Sequence, residues 1–583
     1  MFISLLLSIA FYSFPGSQVS DRTELVASEL GTQVDAYLEE CEALGFSGAV
    51  LVQKDKKVIV RKGYGKARWD TDAPNSPIML YDIASASKQI TAAAILLLES
   101  QGKLDTSASI AEYLPNVPKK HKDITVYHLL THTSGFPRNG PSGSGQDMEK
   151  ALEKYFQGER KSKGGKKFEY YNGGYAMLAM IVERVAKQKF EEWVDANLFK
   201  PIGMKHTYFA ETMGMDEAFL SARYHSRDLT TNYIRGWGYR GMGGVVTSVA
   251  DLAIWCNALF SGEVLPPEAL EKMLTPYKDK YGGGWYIFTT DGGRKVIQHG
   301  GTSPGFQSYI RYFPEDDLLV LVLTNRAGWH WQVAWGIPGI VLNEPVNTPP
   351  LPETVELSKS KAAAFSGTWE SKGRRIVVRQ NENGFSIAPL DPDSKLALMG
   401  DEIHKPDKDS PKDSEVEASG KMGMDIISGL QLGDVSIIKR QMAGYIPKRW
   451  PDDILNDYWP KLLERWGKVE EQELLTAYYD PETKWNTVWV RLVMGKASRS
   501  VQICFFHDRI KILDLNAPEF PYLTTMVPIR DNILTSFDYQ TTPPATLILS
   551  GKGKSRKLEM KSRNGEKIKF KLVGPGMIPK RNN

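Results

Sequence analysis

Cysteine is scarce in this sequence: the 583 residues include only three, Cys41, Cys256 and Cys504, and these lie far apart. They show no C-x-x-C or Cys/His spacing of the kind that builds a zinc site, so we predict no metal or other cofactor and at most one disulfide. The sequence also has no large excess of either charge, because 73 basic and 69 acidic residues leave a formal net charge of +4. This balance argues against nucleic acid or a strongly acidic molecule as the partner.

Long apolar runs are lacking beyond the first residues. The apolar stretch Phe2 to Phe14 is too short to span a bilayer and is followed by Pro15-Gly16-Ser17, which favours a signal peptide over residues 1–20. It lacks a preceding Lys or Arg and a clear A-x-A cleavage site, so a misassigned start is the alternative. We expect a protein of the bacterial envelope, periplasmic or secreted, with no transmembrane helix after the signal segment.

The length of the chain exceeds what a single hydrophobic core serves and predicts roughly three or four domains. A hydrophobic fraction of 42% and a charged fraction of 24% are ordinary for folded proteins. The predicted divisions are a signal peptide over 1–20, a hydrolase domain over 21–343, a Pro-rich linker over 344–358, a small β domain over 359–443 and a second, mainly β domain with one helix over 444–583.

The region before the linker shows a mixed helix and sheet pattern. Apolar residues recur at helical spacing from Asp21 to Leu44, and Phe46 to Val60 alternates as two strands joined by a Lys-rich turn. Short connections between later strands indicate a mostly antiparallel sheet with helices packed against it. These later strands are predicted at Trp285–Thr290, Val296–His299, Gln307–Phe313 and Leu318–Thr324.

Three features are predicted beyond the linker. Residues 391 to 417 form a highly charged loop, and Asp452 to Leu475 forms a helix. Leu558 to Leu572 forms a basic hairpin that turns at Asn564-Gly565. We interpret its alternating lysines as protection of a sheet edge against pairing, with a site for an anionic surface as the alternative.

A serine and a lysine three residues apart occur in Ser85-Ala86-Ser87-Lys88, ahead of an Ala- and Leu-rich helix predicted from Gln89 to Ser100. Residues at this spacing share one helix face, so the amine can reach the hydroxyl that it must help to deprotonate. The spacing alone does not single out Ser85. It also occurs at Ser100/Lys103, Ser358/Lys361 and Ser436/Lys439.

Two other motifs suggest chemistry but have simpler interpretations. His128 and His132 are four residues apart, but no glutamate follows the first, so we predict a short helix and turn rather than a metal site. The stretch from Gly301 to Gly305 matches a G-x-S-x-G nucleophile elbow around Ser303. The residue after that serine is Pro304, which has no N–H to offer an oxyanion, so we reject Ser303 as the nucleophile.

Three motifs occur in one order: Ser85-x-x-Lys88, Tyr170-x-Asn172 just ahead of an apolar helix, and His299-Gly300-Gly301. Together they resemble the serine β-lactamase and penicillin-binding-protein superfamily, in particular its class C-like branch of D-aminopeptidases, D,D-peptidases, esterases and β-lactamases. The resemblance covers about residues 25 to 340. Supporting stretches are Phe46–Ala67, His128–Gly135, Pro201–Met204, Gly243–Leu252 and Tyr281–Trp285.

The resemblance implies an α+β fold like that of class C β-lactamases, followed by small mainly β domains. An antiparallel sheet and a helical lobe would face each other across a cleft, with Ser85 at the start of a central buried helix. Ser85 would attack a carbonyl and form an acyl-enzyme that water then hydrolyses. Lys88 and Tyr170 would lower each other's pKa, and either could be the general base.

The remaining site residues are also assigned through the resemblance. The backbone N–H groups of Ser85 and Thr302 would bind the oxyanion, and Gly301 would help to shape the substrate site. Asn172 would hydrogen-bond the substrate amide or fix Lys88. His299 stands where many members have lysine, and because its unperturbed pKa is about 6.5, it is at best partly charged at neutral pH.

The predicted function is cleavage of amide bonds in small-molecule or peptide substrates, with D-amino-acid-containing substrates favoured. An H-x-G third motif occurs in family members that are D-aminopeptidases, esterases or amidases. The alternatives are an esterase or weak β-lactamase of the same fold and, in another class, an acylating sensor or a pseudoenzyme acting as a cell-wall binding module.

Overall fold

The computed structural model describes most of the chain, and the signal peptide predicted over 1–20 lies outside the described residues. Contacts divide the described chain into two compact units, residues 23–343 and residues 352–574. No helix within the described residues has both the length and the apolar content needed to cross a bilayer. The described residues are 23–67, 73–138, 140, 145–210, 236–303, 305–326, 329–343, 352–372, 374–381, 384–389, 413–442, 450–480, 485–495, 498–506, 509–517, 524–536, 545–551, 555–562 and 566–574.

The first unit contains two antiparallel sheets. Its strands are β1 (Leu25–Val26), β2 (Gly48–Lys54), β3 (Lys57–Tyr64), β4 (Tyr81–Asp82), β5 (Thr207–Phe209), β6 (Val245–Thr247), β7 (Tyr286–Thr289), β8 (Lys295–Ser303), β9 (Phe306–Phe313) and β10 (Leu318–Thr324). The large sheet has seven strands in the order β1-β3-β2-β10-β9-β8-β7, and the small one has the order β4-β6-β5. The early hairpin thus pairs with the last strand, Val50 lying opposite Val322. Every residue of β10 is buried, as expected for a strand covered on both faces.

Helices cover both faces of the large sheet and form a lobe beside it. They are α1 (Ser28–Ala43), α2 (Lys88–Ser100), α3 (Val126–Leu130), α4 (Met148–Phe156), α5 (Asn172–Ala186), α6 (Phe190–Val194), α7 (Val249–Phe260), α8 (Pro267–Met273) and α9 (Trp329–Leu342), with 3₁₀ turns at Ala84–Ser87, Ile110–Glu112, Lys119–His121 and Lys200–Ile202 and a π-helical turn at Asp195–Phe199. Helix α1 packs on α9, and α7 packs on β2 and β10. In the lobe, α5 contacts α2, α3, α4 and α6.

Helix α2 is the central helix of the unit. Ten of its 13 residues are buried, so the helix is enclosed on all sides instead of having one face in solvent. It packs against α5 and α8, and the 3₁₀ turn that precedes it packs against β8. Burying each large aliphatic side chain contributes about 1.5–3 kcal/mol, so this helix is held firmly in the core. The predicted α+β fold with a central buried helix is confirmed.

The second unit contains a closed antiparallel barrel and a separate four-stranded sheet. Its strands are β11 (Gly367–Ser371), β12 (Arg374–Asn381), β13 (Gly384–Pro389), β14 (Val469–Asp480), β15 (Trp485–Met494), β16 (Ser498–Phe506), β17 (Arg509–Ala517), β18 (Thr524–Arg530), β19 (Ile533–Ser536), β20 (Thr546–Ser550), β21 (Lys557–Lys561) and β22 (Lys567–Gly574). The strands of the barrel follow the order β11-β12-β13-β18-β19-β20-β21-β22. Those of the sheet follow the order β14-β15-β16-β17. Its helices are Lys359–Phe365, Asp413–Gln431, Ser436–Gln441, Trp450–Asp453 and Trp459–Trp466, with a π-helical turn at Ile454–Tyr458.

The arrangement of the second unit differs from the predicted division at residue 443. The barrel takes three strands from before that point and five from after it, while the four-stranded sheet and most of the helices lie between β13 and β18 in sequence. The predicted helix from Asp452 to Leu475 ends at Trp466, where Gly467 follows, and the remainder belongs to β14. The predicted charged loop is helical from Asp413 onward. Alternation predicts individual strands but carries no information about which strands pair.

Candidate active site

Ser85 and Lys88 lie against each other at the start of α2. Lys88 Nζ donates a hydrogen bond to Ser85 Oγ at 2.9 Å and a second to the carbonyl oxygen of Met242 at 2.8 Å. The other three serine–lysine matches have different partners. Ser100 donates to Leu97 O, Ser358 caps a helix by accepting from the Lys361 N–H, and Lys439 pairs with Asp452. The structure therefore brings this serine–lysine pair together in the way that nucleophile activation requires.

Lys88 is fully buried. Burial disfavours the charged amine and holds the pKa of Lys88 well below its usual value. Its Nζ lies 5.1 Å from the ring centre of Tyr170 and 5.7 Å from that of Tyr175. In its deprotonated form, which burial favours, an amine bonded to a serine hydroxyl can act as a proton acceptor.

Tyr170 also reaches the nucleophile, through a hydrogen bond between its hydroxyl and the Ser85 side chain. Burial raises the pKa of Tyr170, and the bond to Ser85 offsets this only in part. The pKa of Lys88 is lowered as expected, but by burial and not by Tyr170, and the pKa of Tyr170 is raised instead of lowered. The reason is that burial disfavours the charged form of each group, the phenolate of Tyr170 as well as the ammonium of Lys88.

Asn172 does not contact Lys88, which was one of the two roles expected of it. It is the first residue of α5 and is exposed. Within the described residues, the hydrogen bonds of Lys88 Nζ go to Ser85 and Met242, so Asn172 does not fix the amine. Its exposure leaves the side chain accessible to a substrate.

His299 is buried, with 2% of its surface exposed. Its Nδ1 lies 2.7 Å from the carbonyl oxygen of Gly300, and its Nε2 lies 3.1 Å from the hydroxyl of Tyr281. A carbonyl oxygen can only accept, so Nδ1 carries the proton and Nε2 accepts from Tyr281. Burial, with the nearby Lys88 adding to it, lowers the pKa of His299 to about 3. The imidazole is neutral at physiological pH, and the third motif has no fixed positive charge.

Gly301 allows β8 to lie against the turn that carries the nucleophile. A Cβ atom at this position would be 2.1 Å from the carbonyl oxygen of Ile83 and 2.9 Å from the backbone nitrogen of Ser85. Ser308, opposite Gly301 on β9, donates its hydroxyl to the same Ile83 carbonyl at 2.8 Å. Thr302 follows directly and is exposed. The backbone of Gly301, one residue before Thr302, is therefore next to that of Ser85.

Replacing Gly301 by alanine should separate β8 from the turn at Ser85. The methyl group would overlap two backbone atoms, and backbone cannot rotate away as a side chain can. We expect kcat/KM to fall by about 10²-fold, the size of effect that an ångström of misplacement can produce. Gly174→Ala is the matched control, because a Cβ there would meet nothing nearer than 3.6 Å. Equal activity of both variants would contradict the close approach.

The turn before Ser85 is held in a strained conformation. Ala84 has a φ of +48°, in the left-handed region that residues with a Cβ rarely adopt. Asp82 Oδ1 accepts a hydrogen bond from the Ala84 N–H at 2.8 Å, and the Tyr239 hydroxyl donates to Asp82 Oδ2 at 2.8 Å. This network fixes the turn, and sequence patterns did not indicate it.

His128 and His132, the two histidines four residues apart, both have structural roles. His128 Nδ1 accepts from the Thr125 N–H in a capping box at the start of α3. His132 Nδ1 accepts from the Tyr171 N–H, and its ring lies 4.2 Å from that of Tyr170, centre to centre. His132 thus helps to position Tyr170. The described residues contain no group of three or more His, Cys, Asp or Glu side chains that could hold a metal.

Sequence analysis did not single out Arg138, whose positive charge acts on two tyrosines of the site. Arg138 is exposed, and its charge favours the phenolates of Tyr170 and Tyr286, acting against the effect of burial on their pKa values. The turn containing Arg138 packs on the Tyr171 ring, because Phe136 lies 5.1 Å from it and a Cβ at Gly140 would lie 2.8 Å from it. Arg138 is thus a permanent positive charge near Tyr170 and Tyr286, outside the third motif.

The part of the chain that contains this site is similar in sequence to known proteins. Residues 34–336 match the family model described as Beta-lactamase. PbpX of Bacillus subtilis (strain 168), which is named as a penicillin-binding protein, is 30% identical over 301 residues that cover 50% of this chain and 73% of PbpX. Protein Flp of Staphylococcus aureus (strain MW2) is 26% identical over 332 residues that cover 50% of this chain and 62% of Flp, less than two thirds of its length. A crystal structure of a penicillin binding protein from Bacillus halodurans is 25% identical, with a TM-score of 0.47, and covers 52% of this chain and 99% of that protein.

Proposed function

This chain belongs to the β-lactamase family, and from that membership we propose that it cleaves amide bonds, with D-amino-acid-containing substrates favoured, through an acyl-enzyme on Ser85. The observation that carries the proposal is the 2.9 Å hydrogen bond between Ser85 Oγ and the buried amine of Lys88. A hydroxyl beside a deprotonated amine is an activated nucleophile. The H-G-G third motif supports amides and esters as the substrate class through the resemblance stated above.

In the proposed mechanism Lys88 is the general base. Its neutral amine takes the Ser85 proton as Oγ attacks the substrate carbonyl, and the resulting tetrahedral oxyanion lies between the backbone N–H groups of Ser85 and Thr302. Tyr170 stays protonated, because burial raises its pKa, and relays the proton from Lys88 to the departing amine. The C–N bond breaks, leaving an ester on Ser85. Water then attacks this ester and releases the acid and Ser85.

Ester hydrolysis is the second candidate function, and the neutral state of His299 favours it. A substrate carboxylate would find no permanent cation at the third motif, because the pKa of His299 is about 3. Short esters have no carboxylate to recognise. They therefore lose nothing from the absence of that charge.

A substrate panel tests the proposal. D-aminoacyl amides with their L-enantiomers, D-Ala-D-Ala peptides, nitrocefin and short p-nitrophenyl esters would be offered to the wild type and to Ser85→Ala. We expect turnover of D-aminoacyl amides above that of the L-forms, abolished in the variant. Turnover of esters alone would favour the second candidate. No turnover of any substrate, or turnover that persists without Ser85, would overturn the proposal.

Replacing His299 by lysine should increase recognition of anionic substrates. A charged donor in the third motif would hydrogen-bond a substrate carboxylate, and such a bond contributes about 1.5–3 kcal/mol. We expect the ratio of penicillin acylation to p-nitrophenyl ester hydrolysis to rise about tenfold or more. Tyr281→Phe is the control, since it removes the partner of His299 without adding a charge. An unchanged ratio in His299→Lys would show that the third motif does not set carboxylate recognition.

A further inference from the structure

The basic hairpin near the end of the second unit is not a sheet edge. β21 pairs with β20 on one side and β22 on the other, and β22 pairs in turn with β11 to close the barrel. The interpretation that its lysines protect an edge against pairing is therefore wrong. Because the barrel is closed, the lysines have no strand edge to protect, and the presence of so many of them needs another explanation.

These lysines form one exposed face of the barrel. The inward residues Leu558, Met560, Ile568 and Phe570 are buried in the barrel core. The outward residues of β21 and β22 alternate with them, as side chains do along a strand. The lysine face, as we call it, consists of Lys557, Lys561, Lys567, Lys569 and Lys571, all exposed.

The register places like charges directly opposite each other. Lys557 lies opposite Lys571, and Lys561 lies opposite Lys567. Such cross-strand pairs destabilise a sheet. Two acids are adjacent, since Glu559 lies opposite Lys569 and Glu370 opposite Lys571. Among the residues that the structure describes, no ion pair joins the lysine face to an acid, so its surplus of positive charge is uncompensated.

One apolar side chain continues the row of lysines. Val573 follows Lys567, Lys569 and Lys571 at the same two-residue spacing and is 54% exposed. A soluble polyanion would gain nothing from an exposed valine beside its charges. A bilayer would, because the lysines can meet lipid phosphates while the valine enters the region between headgroups. The row has no aromatic side chain on which nucleic acid bases could stack.

We propose that the lysine face docks this protein on the surface of an anionic phospholipid bilayer. Each lysine near such a surface contributes about fivefold in affinity, which corresponds to about 1 kcal/mol per basic residue. Removing three should therefore lower vesicle binding by about 10²-fold. The proposal does not depend on the hydrolase chemistry, so the two can fail separately.

Co-sedimentation of the full chain with vesicles tests the proposal. We expect binding to phosphatidylglycerol-containing vesicles, weakened by salt, and no binding to phosphatidylcholine vesicles. K567Q/K569Q/K571Q should bind about 10²-fold less, while the control K103Q/K119Q/K189Q, which removes three exposed lysines of the first unit, should bind within twofold of wild type. The Tm of the first variant should change little, because the variant relieves two like-charge pairs and loses two opposite-charge pairs. Equal losses in both triple variants would overturn the proposal.

A second variant distinguishes a bilayer from a soluble polyanion. Val573→Gln should lower vesicle binding severalfold and leave binding to inorganic polyphosphate unchanged, since the valine contributes only where it can enter lipid. If Val573→Gln has no effect on vesicles while the lysine variant loses polyphosphate and vesicles alike, the partner is a polyanion and the bilayer proposal is wrong. Ester hydrolysis should be unchanged in every variant.

Discussion

Replacing Ser85 by alanine should abolish turnover, with kcat/KM falling by about 10⁴-fold or more. The reason is that the variant has no oxygen to form the acyl-enzyme, and the remaining amine and oxyanion donors supply only a small part of the acceleration. The measurement is steady-state hydrolysis of the best substrate of the panel. Thermal unfolding should be unchanged, because Ser85 is only partly buried and alanine fits the same turn.

Ser303→Ala is the matched control for the nucleophile. Ser303 is buried and lies in the stretch that resembles a nucleophile elbow, at the end of β8. Since Pro304 follows it and can offer no N–H to an oxyanion, we expect activity within about twofold of wild type. The opposite pattern, with activity lost in Ser303→Ala and retained in Ser85→Ala, would contradict the assignment.

Replacing Lys88 by methionine should lower kcat/KM by about 10³-fold, within the range that general base catalysis supplies. Methionine has a similar length and fills the buried position without a proton acceptor. The pH profile should change as well. Lys88 must be deprotonated to act, so wild-type kcat/KM should rise with pH through the pKa of Lys88, which burial holds well below 10.5. This acidic limb should be absent in Lys88→Met.

Lys103→Met provides the control for Lys88. Lys103 follows Ser100 at the same spacing but is exposed, and Ser100 bonds to Leu97 O instead. Its activity and pH profile should match those of wild type. If Lys88→Met retained an acidic limb at the same pH, the limb would belong to another group, and the general base would have to be sought elsewhere.

Local patterns predicted much of the site because the relevant groups are close in sequence or fixed to one element. The spacing of Ser85 and Lys88 on one helix face is enough to bring their side chains together. The order of three motifs then selected this pair from four matches, and Tyr170 does reach Ser85 in the structure. The antiparallel hairpins were predictable for the same reason, since short turns join neighbouring strands.

The rest of the site depends on contacts between distant segments. The second partner of Lys88 is the backbone carbonyl of Met242, which has no side-chain signature in sequence. The pKa of Tyr170 follows from burial, which only the folded structure reveals. Likewise, the neutral state of His299 depends on Tyr281 and on the fully buried setting that the fold creates.

Strand pairing in the second unit was beyond sequence patterns for a related reason. Each strand of the barrel alternates in the ordinary way, but β13 pairs with β18 across an insertion of more than a hundred residues. Alternation defines which face of a strand is buried and leaves the partner undefined. The same limit explains why the sequence does not show that the basic hairpin is paired on both sides.

The most direct test of the acyl-enzyme is to label the protein with a fluorophosphonate or a fluorescent penicillin, digest it and locate the adduct by mass spectrometry. We expect one adduct, on the peptide containing Ser85, that is absent from Ser85→Ala and forms much more slowly in Lys88→Met. An adduct on Ser303 or another serine, or no adduct in a protein that turns over its substrate, would contradict it.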